Sequence, residues 1–142
     1  MINVNDILKE KGSDFFAVTP QTITIDVLKF LAEKNIGAVL VVENEKLVGI
    51  FSERDYARKI VLQGKSSSNT QVSEFMSSQV FTVTKEMSIA DCMQIMSDKH
   101  IRHLPVLEND KVCGLVSIGD IVSRIIREQR NTIEQLENYI RG

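Results

Sequence analysis

Gly49-Ile50-Phe51-Ser52-Glu53-Arg54-Asp55 and, 65 residues later, Gly114-Leu115-Val116-Ser117-Ile118-Gly119-Asp120 decide the architecture of this 142-residue chain. In each stretch a glycine and two apolar residues lead into a serine, with an acid three residues beyond it. Working outward at the same offset, residues 18–61 lie on residues 83–126 without a gap. Thirteen of the 44 aligned pairs are identical, where average residue usage gives about three by chance. Many of the other pairs exchange one apolar residue for another, as in Leu28/Met93, Leu31/Met96 and Ile50/Leu115. Upstream, Val4-Asn5-Asp6-Ile7-Leu8 echoes Val72-Ser73-Glu74-Phe75-Met76 at a shift of 68, so the first copy carries three extra residues near Gly12–Asp14. The chain is an internal duplication.

Each copy reads as a mixed α+β unit. In the first, an extended piece ends at Val18-Thr19 and Pro20 begins a turn. The apolar spacing from Asp26 to Asn35 is helical. Ala38–Val42 is a continuous β-prone run of the kind buried on both faces. A polar turn at Glu43–Lys46 leads to a second strand, Leu47–Phe51, and Ser52 starts a further helix. The second copy places a helix at Ile89–Lys99, strands at Leu104–Leu107 and Val112–Val116, and a helix from Ser117. Pro105 lacks an N–H, which predicts an edge position or the start of a strand. Gly64–Thr70 has the composition of a flexible connection. The divisions are residues 1–71 for the first repeat with its N-terminal segment, 72–126 for the second, and 127–142 for a C-terminal helical extension. Units of this size need a partner for their apolar faces. Packing the copies around a pseudo-two-fold axis leaves two equivalent clefts at the junction.

Composition narrows the function. Lys+Arg 17 against Asp+Glu 19 gives a net charge of -2, without the basic excess of a nucleic-acid binder. No apolar run approaches a membrane span, and the N-terminal residues carry no signal-peptide pattern. Cys92 and Cys113 form no disulfide framework, which suits reduced thiols in the cytoplasm.

The Ser-x-x-Asp pairs Ser52/Asp55 and Ser117/Asp120 have two readings. A serine with an acid three residues on is a helix N-cap arrangement. Equally, a helix N-terminus offers N–H donors to anions, and a carboxylate beside it can accept both hydroxyls of a ribose. The repeat, the two Gly-x-x-Ser-x-x-Asp stretches and Leu104-Pro105-Val106 together resemble a CBS-domain pair, the Bateman module, over residues 1–127. Ser52-Glu53-Arg54-Asp55-Tyr56 is similar to the small stand-alone members.

The resemblance implies two β-α-β-β-α repeats and a regulatory module without chemistry of its own. It would bind an adenosyl ligand, namely AMP, ADP, ATP, or in some members NAD or S-adenosylmethionine, and modulate a partner protein or its own homodimer. No cofactor is required. By position, one cleft would set Asp120 on the ribose hydroxyls and Ser117 near the phosphate, with adenine against Phe16, Val18, Ile36, Gly37 and Ala38. The other would combine Asp55 and Ser52 with Phe81, Val83, Ile101, Arg102 and His103. Arg102 and His103 fall where related modules place phosphate-binding cations. Arg54 precedes Asp55 where a basic residue is common, whereas Gly119 precedes Asp120. The space left by Gly37 and Gly119 favours the Asp120 cleft. The alternative is a structural interaction module that binds no ligand, with both motifs acting only as caps.

Other candidates carry less. His100 and His103 are three apart but have no further ligands around them for a metal. Cys92 and Cys113 read as small buried hydrophobes, and Met87, Met93 and Met96 as core. No nucleophile–base pair can be named, so no enzymatic activity is expected. In the tail, Ile126, Ile133, Leu136 and Ile140 keep a three-four rhythm with Gln129 among them. This describes either a helix packed back on its own module or an interhelical seam.

Overall fold

Asn44 and Glu45 have φ of 52° and 66°, and Asn109 and Asp110 have 53° and 63°, the left-handed pairs that two-residue I′ hairpin turns require. In the computed structural model, which describes residues 1–141, these turns join β2 (Ala38–Glu43) to β3 (Lys46–Ser52) and β4 (His103–Glu108) to β5 (Lys111–Ser117). Helix α2 (Thr24–Lys34) precedes the first hairpin and α4 (Ile89–Lys99) the second. After β3 the chain makes a single turn, α3 (Glu53–Asp55), and continues as a π-helical turn over Tyr56–Val61. After β5 it enters α5 (Ile118–Arg141), one unbroken helix across residues 126 and 127. This is the mixed α+β duplication that the sequence implies.

The two copies differ at Pro105. In the first, β1 (Ala17–Val18) runs parallel to β2, and the N–H of Leu40 donates to the Phe16 carbonyl at 3.0 Å. Pro105 occupies the place of Leu40 and has no N–H to give. The second copy therefore keeps only the single parallel bridge Val83↔Val106 where the first has a two-residue strand. The proline faces the thinly paired side of β4.

Helix starts differ as well. Ser88 caps α4 by accepting from the Asp91 N–H at 3.1 Å. Ile23 stands at the matching place before α2 and offers no side-chain acceptor. There the connection between the copies does the capping: the carbonyls of Thr70 and Ser67 accept from the N–H groups of Thr24 and Ile25, both at 2.8 Å. The Thr70 and Thr24 hydroxyls close the same joint at 2.9 Å. The flexible composition of Gly64–Thr70 thus ends in a fixed cap.

The two cores exchange their leading segments. Helix α1 (Val4–Lys11) precedes the first repeat in sequence, yet Val4, Ile7 and Leu8 pack with Val106, Val116 and Ile121 of the second. Conversely Val72 is buried in the first core, with Phe75 and Met76 against it. Backbone bonds fix the exchange: Val4 N–H to the Met87 carbonyl and Val72 N–H to the Thr22 carbonyl, each 2.9 Å. The two glycines of the repeated stretch exist for this contact. A Cβ on Gly114 would stand 2.8 Å from a Leu8 methyl, and one on Gly49 would run into the Met76 sulfur.

Of the methionines expected in the core, Met96 is buried and Met87 partly so, but Met93 is exposed. It falls beside the stripe Ile89, Cys92 and Met96 that α4 turns inward. Cys92 is buried, and burial, with the charge of Asp91 beside it, pushes its thiol up to about 11. Cys113 is only half-buried.

Candidate functional site

Both Ser-x-x-Asp motifs fold as caps. The Ser52 N–H donates to Asp55 Oδ2 at 2.9 Å and the Asp55 N–H donates to Ser52 Oγ at 3.3 Å. At the second motif the same two bonds measure 2.9 Å (Ser117 N–H to Asp120 Oδ2) and 3.1 Å (Asp120 N–H to Ser117 Oγ). The cap reading is therefore realised twice, and it leaves each carboxylate with lone pairs to spare.

What separates the two sites is the exchanged segment above each. Helix α1, closed at its start by the reciprocal Asn3/Asp6 capping box, stays helical as far as Lys11. Lys11 then reaches Asp120 Oδ2 at 2.7 Å and the Leu115 carbonyl at 2.8 Å. Its neighbour Glu10 pairs with Arg124 at 2.9 Å and with Arg127. In the other copy helical geometry lasts only over Val72–Glu74, a 3₁₀ turn. The chain then becomes extended and bridges Ile50 through Ser77, with bonds of 2.8 and 3.0 Å.

The result is one wide cleft and one narrowed by α1. A cavity of about 630 Å³ opens at Asp55, whereas the recess at Asp120 is about 250 Å³ and is walled by Glu10, Lys11, Arg124 and Arg127. The space that Gly37 and Gly119 leave does not decide the matter. Gly37 lines the Asp55 cavity, where its missing Cβ would sit 3.8 Å from the His103 ring, and the closing group at Asp120 is a lysine from outside the 65-residue register.

The open cavity gathers Gly37, Ser52, Arg54 and Asp55 from the first repeat with Phe81, Ile101, Arg102 and His103 from the second. Val83 lies in the second core instead of the cavity wall. Of the residues expected around Asp120, Ser117 and Gly119 lie at the start of α5 but Phe16, Val18, Ile36 and Ala38 line neither cavity. Phe16 packs edge-on against Phe30, with Lys34 over its ring, and Ala38 is buried. Val18 and Ile36 pack against the first core.

Two lining cations escaped the sequence reading. Arg58 and Lys59 stand four residues after Arg54 and Asp55, a spacing that sets side chains on one helical face. Lys59 pairs with Asp55 Oδ1 at 3.3 Å and donates to the Phe75 carbonyl and to Ser77 Oγ, also at 3.3 Å.

The charges have a consistent sense. The Arg58 guanidinium, and then Arg102, press Arg54 below the usual arginine range, with desolvation adding to the effect and Asp55 opposing it. Three guanidiniums crowd one mouth with too few acids between them, an arrangement that attracts phosphate. Burial pushes His103 down against the pull of Asp120, and Lys11 and Arg102 push the same way. Burial thus favours the neutral imidazole, which can serve as a hydrogen-bond partner at the junction.

Asp120 answers to opposing influences. Burial pushes its carboxyl up, but the hydrogen bond from Lys11 and those from Ser117 outweigh that and hold it below its ordinary value of 3.8. A depressed carboxylate stabilises the fold above its unfolded pKa, and that contribution is lost as pH falls through the folded value. The ¹³C titration of the Asp120 carboxyl should have its midpoint below 3.8, and Lys11→Met should raise it. An unchanged midpoint in that variant would show that Lys11 does not occupy the cleft.

Among the described residues no group of three or more His, Cys, Asp or Glu side chains is placed to hold a metal ion, and no helix is long and apolar enough to cross a membrane.

Comparison with known proteins fits this geometry. The CBS domain family model matches residues 1–62 and 72–127. The CBS domain-containing protein CBSX3, mitochondrial, of Arabidopsis thaliana is 38% identical over 149 residues, which cover 98% of this chain and 72% of the relative. A solved protein with CBS domains from Burkholderia ambifaria MC40-6 superposes with a TM-score of 0.87 at 45% identity, over 89% of this chain and 96% of that one. The CBS domain pair of protein MJ0100, solved in complex with 5′-methylthioadenosine and S-adenosyl-L-methionine, has a TM-score of 0.79 at 25% identity, covering 91% of this chain and 98% of that one. With both repeats matched and the paired fold shared, this chain belongs to the CBS domain family as a CBS pair, a regulatory module.

Proposed function

We propose that this CBS pair senses a phosphate-bearing adenosyl nucleotide, AMP, ADP, ATP or NAD, in the wider cleft at Asp55. The observation that carries the reading is the union in one cavity of the Asp55 carboxylate with Arg54, Arg58 and Arg102. A cavity of about 630 Å³ is in the range of small-ligand sites. Asp55 would accept the ribose hydroxyls, with half-exposed Lys59 giving way. The arginines would take the phosphates. The MJ0100 pair holds adenosyl ligands, but a sulfonium cation such as S-adenosylmethionine suits three guanidiniums poorly.

Because Asp55 and Arg54 come from one repeat and Arg102 from the other, a bound nucleotide would tie the two units together. It shifts the module only as far as it prefers one arrangement of them. The output passes to a partner protein or a second copy, and no catalytic step is involved. The two free thiols suit a reducing compartment such as the cytoplasm.

Isothermal titration calorimetry of the full chain tests this. AMP, ADP, ATP or NAD should bind with one site per chain, weakening as salt is added, and S-adenosylmethionine should bind less tightly. Two equal sites would contradict the closed Asp120 cleft. No binding of any of these at millimolar concentration would leave the module a structural interaction unit.

A further inference from the structure

Helix α5 outlasts the module that starts it. Ile121 is buried, and Ile118 and Ile125 pack against the second core. From Gln129 to Arg141 every residue is exposed, a length of about 20 Å at 1.5 Å per residue. A helical arm of that length is marginal alone in water. Its apolar residues are also not scattered. Val122, Ile126, Gln129, Ile133, Leu136 and Ile140 recur at intervals of four and three. Ile133 and Leu136 are 55% and 58% exposed, which removes the reading in which this stripe packs back on its own module. The stripe lies on the side of the helix away from Arg124 and Arg127, the residues that Glu10 of α1 engages.

We infer that α5 forms a parallel, in-register two-stranded coiled coil with a second copy of this chain. In heptad terms Ile126, Ile133 and Ile140 fall at a, and Val122, Gln129 and Leu136 at d. β-branched residues at a with leucine at d favour two parallel strands. The lone polar seam residue fixes the register. In the parallel alignment Gln129 meets the Gln129 of the other copy, and the two amides can bond each other. The fully overlapped antiparallel alignment buries Gln129 against Ile133 and brings Arg130 close to its own counterpart. The flanks agree with the parallel choice, since Arg130 then faces Ile125 and Glu137 faces Thr132, with no like charges opposed.

This inference deepens the proposed output through a second copy, and its test uses no ligand, so it can fail while nucleotide binding stands. Sedimentation equilibrium of the full chain should show a dimer. Leu136→Glu, at an exposed site of the arm beyond the module core, should raise the dimer dissociation constant by about 100-fold or more with module unfolding unchanged. Orientation is read by Ile140→Cys in a Cys113→Ser background, which should form a covalent dimer on mild oxidation. A wild-type monomer, or a dimer indifferent to Leu136→Glu, overturns the inference. So does a Leu136-dependent dimer that fails to cross-link at position 140, because the strands then run antiparallel.

Discussion

Asp55→Ala should weaken AMP binding by about 100-fold or more, while Asp120→Ala should leave it within about threefold of wild type. Hydrogen bonds to a charged group contribute about 1.5 to 3 kcal/mol each, and a ribose diol offers two of them to one carboxylate. Losing about 3 kcal/mol is a little over a hundredfold in affinity. Asp120 already spends its Oδ2 on Ser117 and Lys11 and faces a recess of about 250 Å³. The two substitutions share a side effect that serves as a control. Each removes half of a capping box, at a cost of about 1 kcal/mol, so the two variants should unfold at similar temperatures. Calorimetry then separates them. If Asp120→Ala abolishes binding and Asp55→Ala preserves it, the nucleotide displaces α1 and enters the closed cleft.

The duplication and its strands were legible because both signals are local and periodic. An apolar run bounded by turns and a Ser-x-x-Asp pair at the next helix start need no tertiary information. Pro105 was legible in kind: a missing N–H must face the poorly paired side, and it does so by reducing a two-residue strand to one bridge.

The glycines point to the Asp120 cleft, whereas the larger cavity lies at Asp55, and the cause of that inequality is also written in the sequence. After the matched apolar residues, the first copy continues Lys9-Glu10-Lys11 and the second Ser77-Ser78-Gln79. Lysine and glutamate extend a helix more readily than two serines do. One segment therefore runs on to deliver Lys11 to Asp120, and the other breaks early and leaves Asp55 open. The 65-residue register hides this because the deciding residues lie upstream of it.

The exchange of leading segments was invisible for a different reason. Val4-Ile7-Leu8 and Val72-Phe75-Met76 present the same apolar face, so either suits either core by pattern. Only long-range contacts assign them.

That exchange makes the strongest stability prediction. Leu8→Ala should cost about 2 to 5 kcal/mol, as for other buried leucines cut to alanine, even though α1 is the first helix of the chain and ends in exposed residues. Gly114→Ala should cost about 1 to 3 kcal/mol by overpacking, since its new Cβ would stand 2.8 Å from a Leu8 methyl. The double variant should be better than the sum by about 1 to 2 kcal/mol. The added methyl group then occupies part of the space that the leucine vacated. Met76→Ala combined with Gly114→Ala provides the contrast, because Met76 faces Gly49 in the other core and the two effects should simply add. Urea unfolding followed by two probes would measure these variants together with the Met76→Ala single and check that the transitions coincide. Strict additivity for the Leu8/Gly114 pair would mean that α1 does not seat on the second repeat. Seating also governs the cleft, since Lys11 stands one turn beyond Leu8 on the same helix. Leu8→Ala should therefore raise the Asp120 titration midpoint as Lys11→Met does, which ties the packing of one leucine side chain to the narrowing of a cleft.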